Sequence, residues 1–100
     1  MVREGHLLAV FNSSHRVMKA ESILKALGLS ILLIPAPRQL LTDCGLAIRF
    51  SENERAMVMQ ALVQNRLLPA FISIYHEGEF VTTWTNEGIE NQFFQKDGTE

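Results

Sequence analysis

The chain has a single cysteine, Cys44, among its 100 residues. One thiol forms no internal disulfide, so the fold must rest on its core, and a free thiol predicts a cytoplasmic protein. There is no excess of basic charge: 9 Lys and Arg stand against 11 Asp and Glu, a net charge of −2. That balance argues against nucleic acid or an anionic membrane as the main partner. The longest apolar run falls short of the ~20 residues that span a bilayer. Met1-Val2-Arg3-Glu4-Gly5-His6 carries an acid, and no small-residue cleavage site follows the run ending at Phe11, so no signal peptide is read here. A glycine-rich phosphate loop, a hydrolytic pair of carboxylates and a Gly-x-Ser-x-Gly elbow are all missing. His6, His15, His76 and Cys44 follow no metal-ligand spacing, so neither a metal nor a cofactor is expected. The chain shows no internal repeat and no low-complexity segment.

What is present suits one small domain. A chain of this length buries roughly 60–70% of the surface exposed when unfolded, enough for a core without staples. His6–Phe11 is a short apolar run that reads as a buried strand. Asn12-Ser13-Ser14 then offers three N-cap residues. Val17, Ala20, Ile23, Leu24 and Leu27 recur at helical spacing, and Gly28 is a suitable stop. Ser30–Pro35 and Gly45–Phe50 read as two more strands around a loop. Ser51-Glu52-Asn53-Glu54 matches a capping box, with Ser51 as N-cap. The helix it opens carries Ala56, Met59, Leu62 and Val63 as its inner stripe, and Met18, Met57 and Met59 read as core filler. Ala70–His76 gives a fourth strand.

Strand–helix–strand–strand–helix–strand predicts an α+β, ferredoxin-like βαββαβ domain over residues 1–76. Its four-stranded antiparallel sheet would have two helices on one face. Residues 77–100 form a C-terminal extension. Phe80–Thr85 has strand composition, while Phe93 and Phe94 sit among polar residues before a frayed end. An extra strand on the domain and a homodimer contact both fit this segment.

The topology carries a geometric consequence. The turn leaving the first strand and the loop between the second and third lie at the same end of the sheet. Asn12–His15 and Pro37–Cys44 thereby become neighbours. A helix N-terminus offers free N–H groups and about half a positive charge. With Arg38 it favours an anionic sulphur, and Asp43 opposes it. Cys44 as a nucleophile or carrier thiol competes with Cys44 as a small packed residue. Arg38 equally suits a solvated loop. Ser13 and Ser14 are first of all caps, His15 is an exposed turn residue, and Gly45 is the bend that opens a strand.

Pro35-x-Pro37-Arg38 followed by Asp43-Cys44-Gly45-Leu46-Ala47-Ile48-Arg49 resembles the signature of the small bacterial selenium/sulphur carrier protein-like domains. Phe11-Asn12-Ser13-Ser14-His15 with Lys19-Ala20-Glu21 is similar to that family's first strand and helix. The likeness covers about residues 6–76. It implies Cys44 as the chalcogen-bearing thiol, with Arg38, Ser13 and His15 as its surroundings. Thr42 stands where a serine is usual, and the tail beyond His76 has no counterpart.

Three readings follow. In the first, Cys44 holds a persulfide or selenopersulfide and passes it between sulphur or selenium donor and acceptor proteins. Arg38 and His15 act beside the thiol, and Ser13, Ser14, Asp43 and Gly45 shape the anion's surroundings. The second is a non-catalytic module binding a small ligand or a protein. The third is a thiol enzyme with His15 as base to Cys44, which requires the two within hydrogen-bond reach.

Overall fold

The computed structural model describes residues 2–40 and 44–86. Thr42, Asp43, Phe93 and Phe94, on which expectations were placed, lie outside the described residues.

The elements in order are β1 (Leu7–Val10), α1 (Ser14–Ala26), β2 (Leu32–Pro35), β3 (Leu46–Phe50), a 3-10 turn (Glu52–Glu54), α2 (Arg55–Gln64), β4 (Phe71–His76) and β5 (Glu79–Thr85). The fold is α+β, with a five-stranded sheet in the order β2-β3-β1-β4-β5 and every neighbouring pair antiparallel. The expectation of four strands is therefore one short. The glutamate and glycine of the β4–β5 turn adopt φ of +50° and +80° at Glu77 and Gly78. That left-handed pair makes the tight turn matching the twist of a hairpin, and it folds β5 back onto β4. Phe80 and Tyr75 face each other across the pair with ring centroids 5.1 Å apart.

β1 lies centrally and is buried on both faces. Leu7 and Ala9 alternate with Leu8 and Val10, so its side chains serve two cores. The larger core gathers Leu7, Ala9, Ile48, Phe50 and Ile72 from the sheet with Val17, Ala20 and Leu24 of α1 and Val58, Ala61 and Leu62 of α2. Both helices thus cover one face. The smaller cluster on the other face joins Leu8, Val10, Ile34, Leu40 and Ala47, with Val2, Ala36, Phe71 and Phe80 packed against it.

α1 follows its pattern closely. Ser13 is the N-cap, and its hydroxyl accepts from the Arg16 N–H at 3.4 Å. The helix ends on Leu27 and the left-handed Gly28, with the Leu29 N–H donating to the Leu24 carbonyl at 3.2 Å. Leu27, placed on the inner stripe, is exposed, because it already belongs to the cap.

α2 departs further. The capping box is not made: Ser51 gives no side-chain cap bond, and the Glu54 carboxylate instead accepts from the Ser30 N–H at 2.9 Å. The chain first makes a 3-10 turn, whose tighter winding shifts the phase of the helix that follows. Val58, Ala61 and Leu62 consequently form the buried stripe, while Ala56 and Val63 are exposed. Met59 packs at the edge of the core, but Met18 and Met57 are 53% and 58% exposed rather than core filler.

Candidate functional site

β1 and β2 end, and β3 begins, at the same edge of the sheet: Val10 pairs with Ala47, and Pro35 with Leu46. The connection from β2 to β3 is closed at its base by the Ala36 N–H donating to the Gly45 carbonyl at 2.9 Å. A turn follows in which the Leu40 N–H donates to the Pro37 carbonyl at 3.0 Å, with Arg38 exposed upon it. Leu40 is buried in the outer cluster, whereas Cys44 packs against the helix-side core. The described loop residues therefore straddle the end of the sheet, with Ala36 and Leu40 on the outer face and Cys44 on the helix face.

Cys44, the chain's one cysteine, is a half-buried thiol outside any disulfide. Its Sγ lies 3.2 Å from the Phe11 carbonyl oxygen and 3.3 Å from that of Leu46, either of which can accept its single proton. The Leu46 N–H donates to Sγ at 3.4 Å. Phe11 follows β1 directly and is one residue from Asn12, so the sulphur meets the chain just ahead of α1. The sulphur thus meets Phe11, one residue ahead of the turn expected beside it, across 33 positions of sequence. Phe11 and Leu46 meet it through backbone groups, which no residue type announces. Leu40 was also missed, although a leucine in a loop of Pro, Arg and Gln was a usable signal.

Gly45 has φ of +73°, and a Cβ built upon it would meet nothing within 4 Å. Its presence answers a left-handed turn into β3, not a close backbone approach. Ser13 caps α1, Ser14 is its first residue, and His15 is exposed on its first turn. No hydrogen bond joins His15 to Cys44 among the described residues. Arg16, also on that turn, reaches the exit of α2: its Nη2 donates to the Arg66 carbonyl at 3.0 Å.

The opposite edge of the sheet has a different character. Glu4 accepts from the Glu77 N–H at 2.9 Å, which holds its carboxyl below the ordinary range, and His76 reinforces this from 2.7 Å. The His6 imidazole is lowered, first by burial and then by Arg49, Arg3 and the N-terminus. Among the described residues no three side chains of metal-ligating type gather, and no helix is long and apolar enough to cross a membrane.

Comparison with curated proteins and with solved structures finds no match. A family model does match, over residues 6–73, a span that holds β1, both helices, the cysteine loop and the first half of β4. With that match covering well over half of its length, the chain belongs to the family described as Putative Se/S carrier protein-like.

Proposed function

We propose that this chain is a thiol-based carrier, taking sulphur or selenium from a donor protein onto Cys44 and delivering it to an acceptor. The observation behind it is the lone thiol at the end of β1, at a sheet edge that also holds the start of α1, in a chain of this family. Loading is a sulphur exchange. Cys44 attacks the terminal sulphur of a donor persulfide, a new S–S bond forms on Cys44, and the donor's own S–S bond breaks. The donor cysteine leaves with the proton that Cys44 gives up, so no net oxidation or reduction occurs. Selenium in the terminal position follows the same balance. Delivery reverses the step toward an acceptor, and the acceptor supplies the resolving nucleophile, so a second cysteine is not required.

A persulfide is anionic near neutral pH. Arg38, exposed on the 36–40 turn, and the free N–H groups of Ser14 and His15 at the start of α1 are the groups available to stabilise it. Ser13 keeps that helix end ordered, and the left-handed Gly45 aims the loop. His15 is free to move a proton during transfer. Asp43 would temper the positive surroundings. The first four strands, in the order β2-β3-β1-β4 with a helix after β1 and after β3, support a ferredoxin-like reading of the scaffold.

The test is direct. The protein is incubated with a cysteine desulfurase and cysteine, and its intact mass is measured. A gain of one sulphur atom, lost in Cys44→Ala, is expected. Absence of the adduct, where a known carrier acquires one, overturns the proposal.

A further inference from the structure

The described charges are unevenly spread between the two ends of the sheet. At the thiol end lie the turn 11–16, the loop residues 35–40 and 44–46, the α2 exit 64–71, and residues 84–86. These segments hold Arg16, Arg38 and Arg66, all exposed, and no carboxylate. Arg16 donates to a carbonyl and so keeps its full charge. The far end holds Glu4, Glu52, Glu54, Glu77 and Glu79 together with Arg3, Arg49 and Arg55. Arg55 pairs with Glu52 at 3.3 Å, and His76 sits between Glu4 and Glu77 at 2.7 and 2.8 Å. In a chain of net charge −2, the described residues thus place three exposed arginines around the thiol, with Asp43 and Glu87 adjoining these segments in sequence.

We propose that this end is a docking face for a protein whose own transfer site is ringed by carboxylates. The three arginines come from three separate segments: the first turn of α1, the cysteine loop and the exit of α2. They make a bounded patch rather than a stripe. A partner with a matching bounded acidic patch meets the cationic end alone. An extended polyanion or a charged membrane would also meet the acidic remainder and be repelled by it. Opposite charges would orient the encounter so that the two chalcogen-bearing groups face each other. The identity of the partner rests on the carrier reading, whereas the charge separation does not.

The experiment uses the full chain, so Asp43 and residues 87–100 contribute their charge. Labelling of Cys44 by a dianionic aromatic disulfide is compared with labelling by an uncharged one. The ionic strength runs from about 0.01 M, where the screening length is ~30 Å, to about 1 M, where it is ~3 Å. The anionic reagent is expected to gain about tenfold over the neutral one at low salt and to lose that gain at high salt. Arg38→Glu with Arg66→Glu should remove it. A short glutamate-rich peptide should then slow labelling by the uncharged reagent at low salt, more than a long single-stranded oligonucleotide or phosphatidylglycerol vesicles do. Equal rates for the two reagents overturn the cationic face. Stronger protection by oligonucleotide or vesicle overturns the protein partner. Failure to acquire a sulphur adduct bears on the carrier reading alone and leaves these ratios as they are.

Discussion

The thiol is read by main-chain atoms: a carbonyl on Phe11, a carbonyl and an N–H on Leu46. Its side-chain surroundings, Arg38 and His15, are exposed and make no bond to it among the described residues. The left-handed Gly45 and the caps of α1 were legible because each residue type has a strong local meaning. The backbone partners were not, because any residue supplies a carbonyl. His6 offers a test of a residue at the far end. Its Nδ1 accepts from the Arg3 N–H at 2.9 Å, so the neutral ring is the bonded form. Burial lowers its pKa from 6.5, and Arg49 and Arg3 add to that. The unfolded chain therefore binds the proton more readily, and stability is full above 6.5 and falls as the pH drops through the window beneath it. Glu4, also lowered, acts in the same direction below 4.5. Thermal midpoints measured between neutral pH and mild acid should decline, and His6→Gln should flatten the upper part of that decline. An unchanged slope in the variant would show that His6 keeps its ordinary affinity for the proton.

At the scale of elements, the two helices end in the same way on different residues. Each sends the N–H two places past the cap back to a buried leucine carbonyl, Leu29 to Leu24 at 3.2 Å and Leu67 to Leu62 at 2.9 Å. The left-handed position is Gly28 in the first and Arg66, with φ of +56°, in the second. The first ending was legible from glycine. The second was hidden, because arginine gives no sign of that conformation. α1 matched its expected span because Val17, Ala20, Ile23 and Leu24 share one stripe and a serine caps it. α2 was misphased because Ser51 and Glu54 spell a capping box that tertiary structure overrides: Glu54 is drawn to the Ser30 N–H. β5 stayed ambiguous for a related reason. As an edge strand its threonines and Val81 are exposed, so burial imposes little alternation on it. The helix endings predict opposite outcomes for two substitutions. Gly28→Ala places a Cβ in a left-handed conformation and should cost about 1–2 kcal/mol. Arg66→Gly removes that same cost and should stabilise by about 0.5–1 kcal/mol, less the added freedom of the unfolded chain. Urea unfolding of both variants measures the difference. A destabilised Arg66→Gly would mean that the Arg66 side chain contributes more than its backbone strain removes.

On the scale of the whole molecule, one central strand feeds two cores of unequal size. The helix-side layer holds the larger aromatic and aliphatic groups, while the outer cluster rests on Leu8, Val10, Ile34, Leu40 and Ala47. The cysteine loop is joined to both, through Cys44 on one side and Leu40 on the other. The α+β class, with two helices and an antiparallel sheet, was legible because the elements alternate in period, and the doubly buried β1 followed from its unbroken apolar run. The outer cluster was not, since nothing in the loop's composition said which way Leu40 would turn. A sheet packed on both faces raises the question of whether its layers are coupled. Ile34 on β2 and Ile72 on β4 stand three strands apart, roughly 14 Å, and belong to different layers. Each Ile→Val change should cost about 0.5–1.5 kcal/mol, since each side chain is buried in a packed environment. Sites so distant, sharing no partner, should add to within about 0.5 kcal/mol in the double variant. If unfolding of the double variant stays a single transition with additive cost, the layers report on one cooperative domain. A shortfall or excess well beyond that margin would show that strain in one layer passes through β1 to the other, and with it to the loop that carries the thiol.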